Sequence, residues 1–368
     1  MADRARLYSR QRYFLSIADT LYTLVLLFVF LKSGLCVNLE NLVASNFGVK
    51  QLVLPVFLLV IFLLYFICSF PLNFYRTFTL EHKFALSKQS FSDWLFDQLK
   101  TGMISYPITL LLISVFFYMV YLSPRYWWVS ISVFWVFFSF IFARLAPVMI
   151  MPLFFKYKAL ADQELKDRII ALAKKMQVGV LDVFQIDLSK KSLKANAAFT
   201  GMGKTKRVLL GDTLQDKYSN HEIEVILAHE FAHYKLKHIF KLLLFNCLLT
   251  FFLFYFIFRS SDYTLAVFKL NSLGSASSVP LFFAYFILFG ILMQPLEAAL
   301  SRRFEKQADL LALQATGAPE VFISLMDKLA TQNLADRCPN ALIKFFFFDH
   351  PPIDERINLA KSFKTTGN

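Results

Sequence analysis

Six histidines occur in the 368 residues, and two of them, His229 and His233, stand four apart with Glu230 between them. The residues leading in, 222–227, carry no Gly or Pro and predict a helix. Positions i and i+4 share one helix face, so this spacing sets two imidazoles side by side. Two neutral imidazoles so placed are two ligands of a tetrahedral Zn²⁺. Glu230, one position on, can accept a proton from a metal-activated water. The competing reading is an amphipathic helix with paired surface histidines.

A zinc site of this kind needs a third protein ligand. His238 lies five residues beyond His233, off the ligand face, and reads as a surface or interface histidine. A carboxylate from a later helix would complete a His₂Glu set. Glu305 is that candidate, and Asp309, four residues on, is placed to accept the other N–H of a ligand histidine. Without the histidine pair, Glu305 would read as a solvated helix glutamate. Glu297 is its rival. Eight residues of helix rise about 12 Å, so the two cannot reach one ion.

These residues must be positioned by an unusual chain. Hydrophobic residues make up 57%, Phe alone counts 44, and charged residues reach only 18%. That composition predicts a multispanning membrane protein with a polar part. The net charge of +13 could point to nucleic acid. No basic run with interleaved aromatics forms an RNA or DNA module, so no nucleic-acid partner is expected. Membrane lipid is the expected partner, because Lys and Arg suit loops facing anionic headgroups. Cys36, Cys68, Cys247 and Cys338 are scattered, which argues against a disulfide framework or a thiolate metal site.

Six apolar segments stand out, at 13–35, 52–70, 103–122, 127–142, 242–258 and 279–293, with almost no charge inside them. Arg4, Arg6, Arg10 and Arg12 precede the first, which reads as a signal anchor rather than a cleaved signal. Loops 37–51 and 260–278 are poor in basic residues, whereas 73–100 and the stretch after 156 are rich in them. The alternation places the N-terminus, the polar insert and the C-terminus in the cytoplasm.

The polar insert predicts an amphipathic helix over 162–176 and strands over 183–188, 195–200 and 207–210. Gly201-Met202-Gly203 reads as a turn, since a lone G-x-G is not a nucleotide site. Asn196, Ala197 and Ala198 begin a strand that, as an exposed edge, would bind an extended peptide by strand addition. Near the end, the Pro351-Pro352 pair fixes a turn after Asp349 and His350. Two readings stay open there. One is a turn and amphipathic helix capped by His350. The other has His350 and Arg356 reaching the cleft to stabilise an oxyanion. The expected division is 1–155 for the first membrane helices, 156–240 for the metalloprotease domain, 241–300 for the last membrane helices, and 301–368 for the third-ligand helix and C-terminal catalytic segment.

Across most of its length the chain resembles the type I CAAX prenyl protease family, multispanning zinc metallopeptidases. The resemblance rests on 74–78, 152–157, 196–201, 207–214, the 229–233 motif, Glu305 with Asp309, and His350-Pro351-Pro352 through Arg356, in family order. Ala232 stands where the family commonly has Gly, and Asp349 where it has Ser or Thr; Asp349 would raise the pKa of His350. The resemblance implies zinc on His229, His233 and Glu305, Glu230 as base, substrate pairing near Asn196, and His350 and Arg356 near the scissile carbonyl. It also implies a mainly α fold, a barrel of seven helices around a chamber, where six spans are evident. The expected activity is that of an integral-membrane zinc endopeptidase, gluzincin-like, with a small β-sheet in its cytoplasmic domain. Its expected substrates are peptides or membrane proteins, a lipidated C-terminal peptide among them. Short loops favour a bacterial inner-membrane protein over one of the endoplasmic reticulum. A bacterial quality-control protease is the nearest alternative, and a non-catalytic scaffold or transporter a more distant one.

Overall fold

The structure, a computed structural model, describes residues 2–200, 206–215 and 217–363. The turn expected at Gly201-Met202-Gly203 lies outside the described residues. Helices α1 (Ala2–Lys32), α2 (Leu35–Phe47) and α3 (Lys50–Phe74) open the chain. A π-helical turn at Tyr75–Thr79 carries α3 into α4 (Leu80–Lys83). Next come α5 (Phe91–Leu122), α6 (Trp127–Met149) and α7 (Met151–Phe154). The polar insert holds β1 (Tyr157–Ala159), α8 (Gln163–Lys175), β2 (Asp182–Ile186), β3 (Ala197–Thr200), β4 (Arg207–Gly211), α9 (Asp212–Gln215) and α10 (Asn220–Lys235). Two long helices follow, α11 (His238–Phe268) and α12 (Val279–Thr316), and then α13 (Pro319–Gln332), α14 (Ala341–Phe347) and α15 (Ile353–Ser362).

Among the described residues six helices are long and apolar enough to cross a bilayer. Five contain the expected segments whole, and the first stops at Lys32, short of the expected residue 35, because Gly34 turns left-handed before α2. At 13 residues α2 spans only about 20 Å, short of a full crossing. No full-length seventh helix is found among the described residues. Instead α2 touches the 3₁₀ turn Ala276–Ser278 that leads into α12: Glu40 accepts the backbone N–H groups of Ala276 (3.0 Å) and Ser277 (3.2 Å). The spans do carry charge, since Asp19 of α1 pairs with Arg76 at 2.8 Å.

Two cores result. Between the long helices, aromatic rings interlock, with Phe116 edge-on to Phe282 at 4.4 Å and to Trp127 at 5.2 Å. Lipid tails are as apolar as these rings, so packing rather than water exclusion holds this part together. The polar body has a conventional core of Ile169, Val183, Val208, Leu227, Phe231 and Phe322, all fully buried or within 1% of it. Each contributes roughly 1.5–3 kcal/mol by leaving water.

The sheet has order β1-β2-β4-β3. β2 and β4 run parallel, and the other pairs are antiparallel. β1 has three residues, too few to show a period in sequence. β3 lies at the edge, with Ala197 opposite Leu210 and Ala198 opposite Leu209. α10 begins with a capping box in which Ser219 and Glu222 satisfy each other's backbone N–H. It packs on α12, which runs unbroken through Pro295. Each helix carries two buried alanines four residues apart, Ala228 with Ala232 and Ala308 with Ala312, all 0% exposed. Small side chains at that spacing let the two backbones approach closely. His229 and His233 each follow one of the α10 alanines, and Glu305 and Asp309 each stand three residues before one of the α12 alanines. A helix-favouring Ala at 232 therefore does what a Gly would do for packing.

Candidate active site

His229 and His233 on α10 meet Glu305 on α12. The two Nε2 atoms lie 3.0 Å apart. Glu305 brings Oε2 to 3.2 Å from His229 Nε2 and Oε1 to 3.1 Å from His233 Nε2. Ligand bonds of about 2.0–2.1 Å in tetrahedral geometry put ligand atoms roughly 3.3 Å apart, so this spacing suits a zinc-sized ion.

The tautomers point the same way. Asp309 Oδ1 sits 2.9 Å from His229 Nδ1, so that nitrogen donates and Nε2 offers its lone pair. His238 Nε2 donates to Gln307 Oε1 at 3.1 Å, which leaves its Nδ1 to accept from His233 Nδ1 at 3.1 Å. The Nε2 lone pair of His233 is then free as well. Two lone pairs and a carboxylate converging at these distances repel one another unless a cation sits among them. Glu305 Oε2 is buried with no hydrogen-bond partner, which fits a metal ligand.

His238 was expected at a surface or interface. It is 0% exposed and stacks on Phe304 with ring centroids 4.5 Å apart. The reason is a break that its spacing from His233 does not announce. Lys237 takes a left-handed φ of 56°, ends α10 and folds His238 back under His233. Lys rarely adopts that conformation, and no Gly marks the turn.

Asp309, 0% exposed, also receives a two-pronged contact from Arg356, Nε to Oδ2 at 2.8 Å and Nη2 to Oδ1 at 2.6 Å. Arg356 thus braces the carboxylate that orients His229, and it borders the cleft. His350 Nε2 lies 3.4 Å from Glu305 Oε2, and its Nδ1 meets Asp349 Oδ1 at 2.8 Å. The N-cap of α15 is Pro352, so His350 does not serve as that cap.

The electrostatics follow from these contacts. Burial pushes the His229 imidazolium down, but Asp309 and Glu305 outweigh it and hold the pKa at about 9. The same negative basin that retains a proton there would retain a metal ion. Burial raises the Glu230 carboxyl against the pull of His229 and His233, which makes it a stronger proton acceptor. For His350, burial lowers the pKa, but the Asp349 hydrogen bond and the Glu305 charge carry it upward on balance.

A cleft of about 180 Å³ joins the parts. Asn196, Ala197, His229, Glu230, His350 and Arg356 line it, opposite apolar walls that include Val225, Phe322 and Met326. Ala198 points its backbone into the β3–β4 ladder and is not among the lining residues. Gly211 sets the position of Asn196. Its N–H donates to the Asn196 carbonyl at 3.0 Å, and a Cβ at 211 would stand 2.8 Å from that oxygen.

The chain matches two family profiles end to end. Residues 2–156 match "CAAX prenyl protease N-terminal, five membrane helices", and residues 159–364 match "Peptidase family M48". CAAX prenyl protease 1 of Saccharomyces cerevisiae is 31% identical over 390 residues, covering 96% of this chain and 84% of the relative. An uncharacterized metalloprotease of Bacillus subtilis, YhfN, is 28% identical over 361 residues, covering 97% and 84%. The crystal structure of Ste24p from S. mikatae superposes with a TM-score of 0.87 at 27% identity, covering 97% of this chain and 88% of that one. With both halves accounted for and a metal-ligating cluster inside the second, the chain belongs to peptidase family M48, as a membrane-embedded metallopeptidase similar to the CAAX prenyl proteases.

Proposed function

We propose that the chain is a zinc endopeptidase whose site lies on the cytoplasmic side of its membrane. We further propose that it cuts extended peptide segments, including the C-terminal segments of lipid-modified proteins. The observation that carries this reading is the convergence of His229, His233 and Glu305, with His229 opening onto a cleft that Glu230, His350 and the start of the edge strand β3 also line. A zinc ion held by those three ligands would polarise the scissile carbonyl and acidify the attacking water.

The chain's own groups do the rest. The edge of β3 at Asn196 and Ala197 pairs with the substrate main chain and sets the scissile bond without reading side chains. Glu230 takes the proton of the attacking water and returns it to the leaving amine. His350, kept protonated by Asp349, donates to the oxyanion as it forms. Asp309 and Arg356 hold His229 in its ligand tautomer. The apolar wall favours an aliphatic side chain beside the scissile bond.

Kinship to prenyl proteases supports a lipidated substrate, and a wet chamber among apolar spans would suit its greasy tail. Four arginines in the first turns of α1, ahead of its apolar stretch, and the basic insert support the cytoplasmic side. Membranes carrying the wild type should yield cleaved peptides that Glu230→Gln membranes lack, with zinc retained in both proteins. Equal peptide sets would overturn the catalytic reading. For the side, Lys190→Cys, on a side chain 64% exposed, should react only with thiol reagents admitted to the cytoplasm. Labelling from outside intact cells would overturn it.

A further inference from the structure

A second cavity, of about 540 Å³, lies behind the metal-binding face of α12, between it, α14 and α15. Five cations line it, Arg302, Arg303, Lys306, Lys344 and Arg356, against two carboxylates, Asp309 and Glu355. Arg356 is committed to Asp309, and Lys344 pairs with Glu355. Arg302, Arg303 and Lys306 are left without an acidic partner among the described residues. Arg302 is nonetheless held in place, donating to the carbonyls of Lys344 (3.0 Å) and Phe348 (2.6 Å). Three like charges within five residues of one helix repel each other, so the arrangement is costly unless an anion is shared between them.

The position of the cavity identifies the anion. A span of about 20 residues counted from Val279 reaches the end of the hydrocarbon near Ala298. Arg302 and Arg303 then rise roughly 6–8 Å further, within the headgroup layer, and Lys306 about 12 Å. On the other side of the cavity, α14 exposes Leu342 (73%) and Phe345 (50%) while Lys344 faces the cavity. Large apolar side chains exposed beside a basic pocket at that depth are the pattern of a helix lying in the membrane interface. Arg303 and Lys306 are themselves exposed.

We propose that this cavity binds the phosphate of an anionic phospholipid headgroup, with Arg303 and Lys306 as its free cations and α14 resting on the acyl chains. The cavity meets the catalytic cleft only at Arg356, whose charge is bound to Asp309, and its free cations lie outside that cleft. A bound lipid would brace the segment from α14 through His350 to Arg356 against α12.

The test uses the full-length protein in detergent, with soluble dioctanoyl lipids as probes. Phosphatidylglycerol should bind roughly tenfold or more tightly than phosphatidylcholine, since each interfacial cation adds appreciably to anionic-lipid affinity. Arg303→Gln with Lys306→Gln should erase that preference. Lys158→Gln with Lys174→Gln, an equal loss of charge at exposed positions, should keep it. The two single variants replace the double one if its melting temperature or metal content falls. Equal binding of the two lipids would overturn the proposal, as would a preference surviving in the variants. Competition by inorganic phosphate as strong as that by the lipid would mean a free-anion site. Competition by a peptide carboxylate and not by its amide would mean a substrate site. Either result would overturn the headgroup assignment. Because the readout is lipid binding, it stands or falls independently of peptidase activity.

Discussion

Each of the two helices that supply the metal ligands is entered through backbone that a glutamate holds, and the two contacts are built differently. At the start of α10, Glu222 is 3% exposed and answers a local partner, Ser219, three residues away. It is further held by Ser324 at 3.0 Å and by Lys328 at 2.7 Å. Ahead of α12, Glu40 reaches across from α2, 236 residues away in sequence, and caps the 3₁₀ turn Ala276–Ser278 that leads into the helix, accepting from the N–H groups of Ala276 and Ser277. The catalytic body thus fixes its ligand helix by a local capping box, reinforced by an ion pair in which the carboxylate is buried and the lysine half-exposed. The membrane body fixes the far end of the other ligand helix by one long-range contact. The site is built where these two modes meet, at the cytoplasmic-proposed end of α12.

The sharpest test of that meeting point uses two glutamates on α12 itself. Glu305→Ala should abolish metal retention, because it removes a ligand and leaves two facing imidazole lone pairs. Glu297→Ala, on the membrane side and about 12 Å away along the helix, should retain full metal content. Metal analysis of both purified proteins decides it, and the reverse pattern would mean that the wrong carboxylate has been assigned.

A smaller effect is expected behind the ligands. His238→Ala removes the acceptor that fixes the His233 tautomer, and outer-shell partners of this kind typically matter by 10–100-fold in metal affinity. Gln307→Ala, one step further out, should cost less. A competition titration with a chelator gives both values. An unchanged affinity in His238→Ala would reduce the histidine to a packing residue.

Smaller again is the effect on the substrate edge. Gly211→Ala places a methyl 2.8 Å from the Asn196 carbonyl and must push the start of β3 outward. Metal content should be unchanged while kcat/KM on peptides falls by roughly tenfold, since main-chain pairing is the interaction displaced. Wild-type kinetics in this variant would remove Asn196 from the substrate register.

The same contrast governs what could be read from the sequence. Spans were legible because bilayer thickness demands about 20 apolar residues, whatever their neighbours. The histidine pair and Asp309 were legible because helical periodicity alone puts i and i+4 on one face. The capping box Ser219-x-x-Glu222 is equally local. What escaped were contacts closed by tertiary folding or by a single unusual dihedral. His238 depends on Lys237 at φ 56°, Glu40 on a contact between distant helices, and β1 on three residues too few to alternate. Arg356 was legible as a site residue. That its charge is bound to Asp309 in a two-pronged pair could not be seen from spacing.

The smallest expected effects are on stability, and they set the two caps against each other directly. Burial pushes the Glu222 carboxyl up, but Lys328 with Ser219 and Ser324 outweighs it, so its folded pKa lies below the usual carboxylate value. A depressed folded pKa means that the group stabilises the fold at pH values above its unfolded pKa, near 4.5. That contribution is lost as pH falls from there through the folded value. Glu222→Gln should therefore cost roughly 1–3 kcal/mol at neutral pH, by breaking a buried charge-assisted network. It should also flatten the acid side of the stability profile below about pH 4.5. Glu40→Gln loses the charge and turns an N–H₂ donor toward one of the two backbone N–H groups that a carboxylate oxygen had accepted, a cost of about 0.5–1.5 kcal/mol at neutral pH. Thermal unfolding in detergent across a pH series reads both. If Glu40→Gln proved the more damaging, the membrane contact would be the stronger anchor of the ligand helices, and the order argued from burial would be reversed.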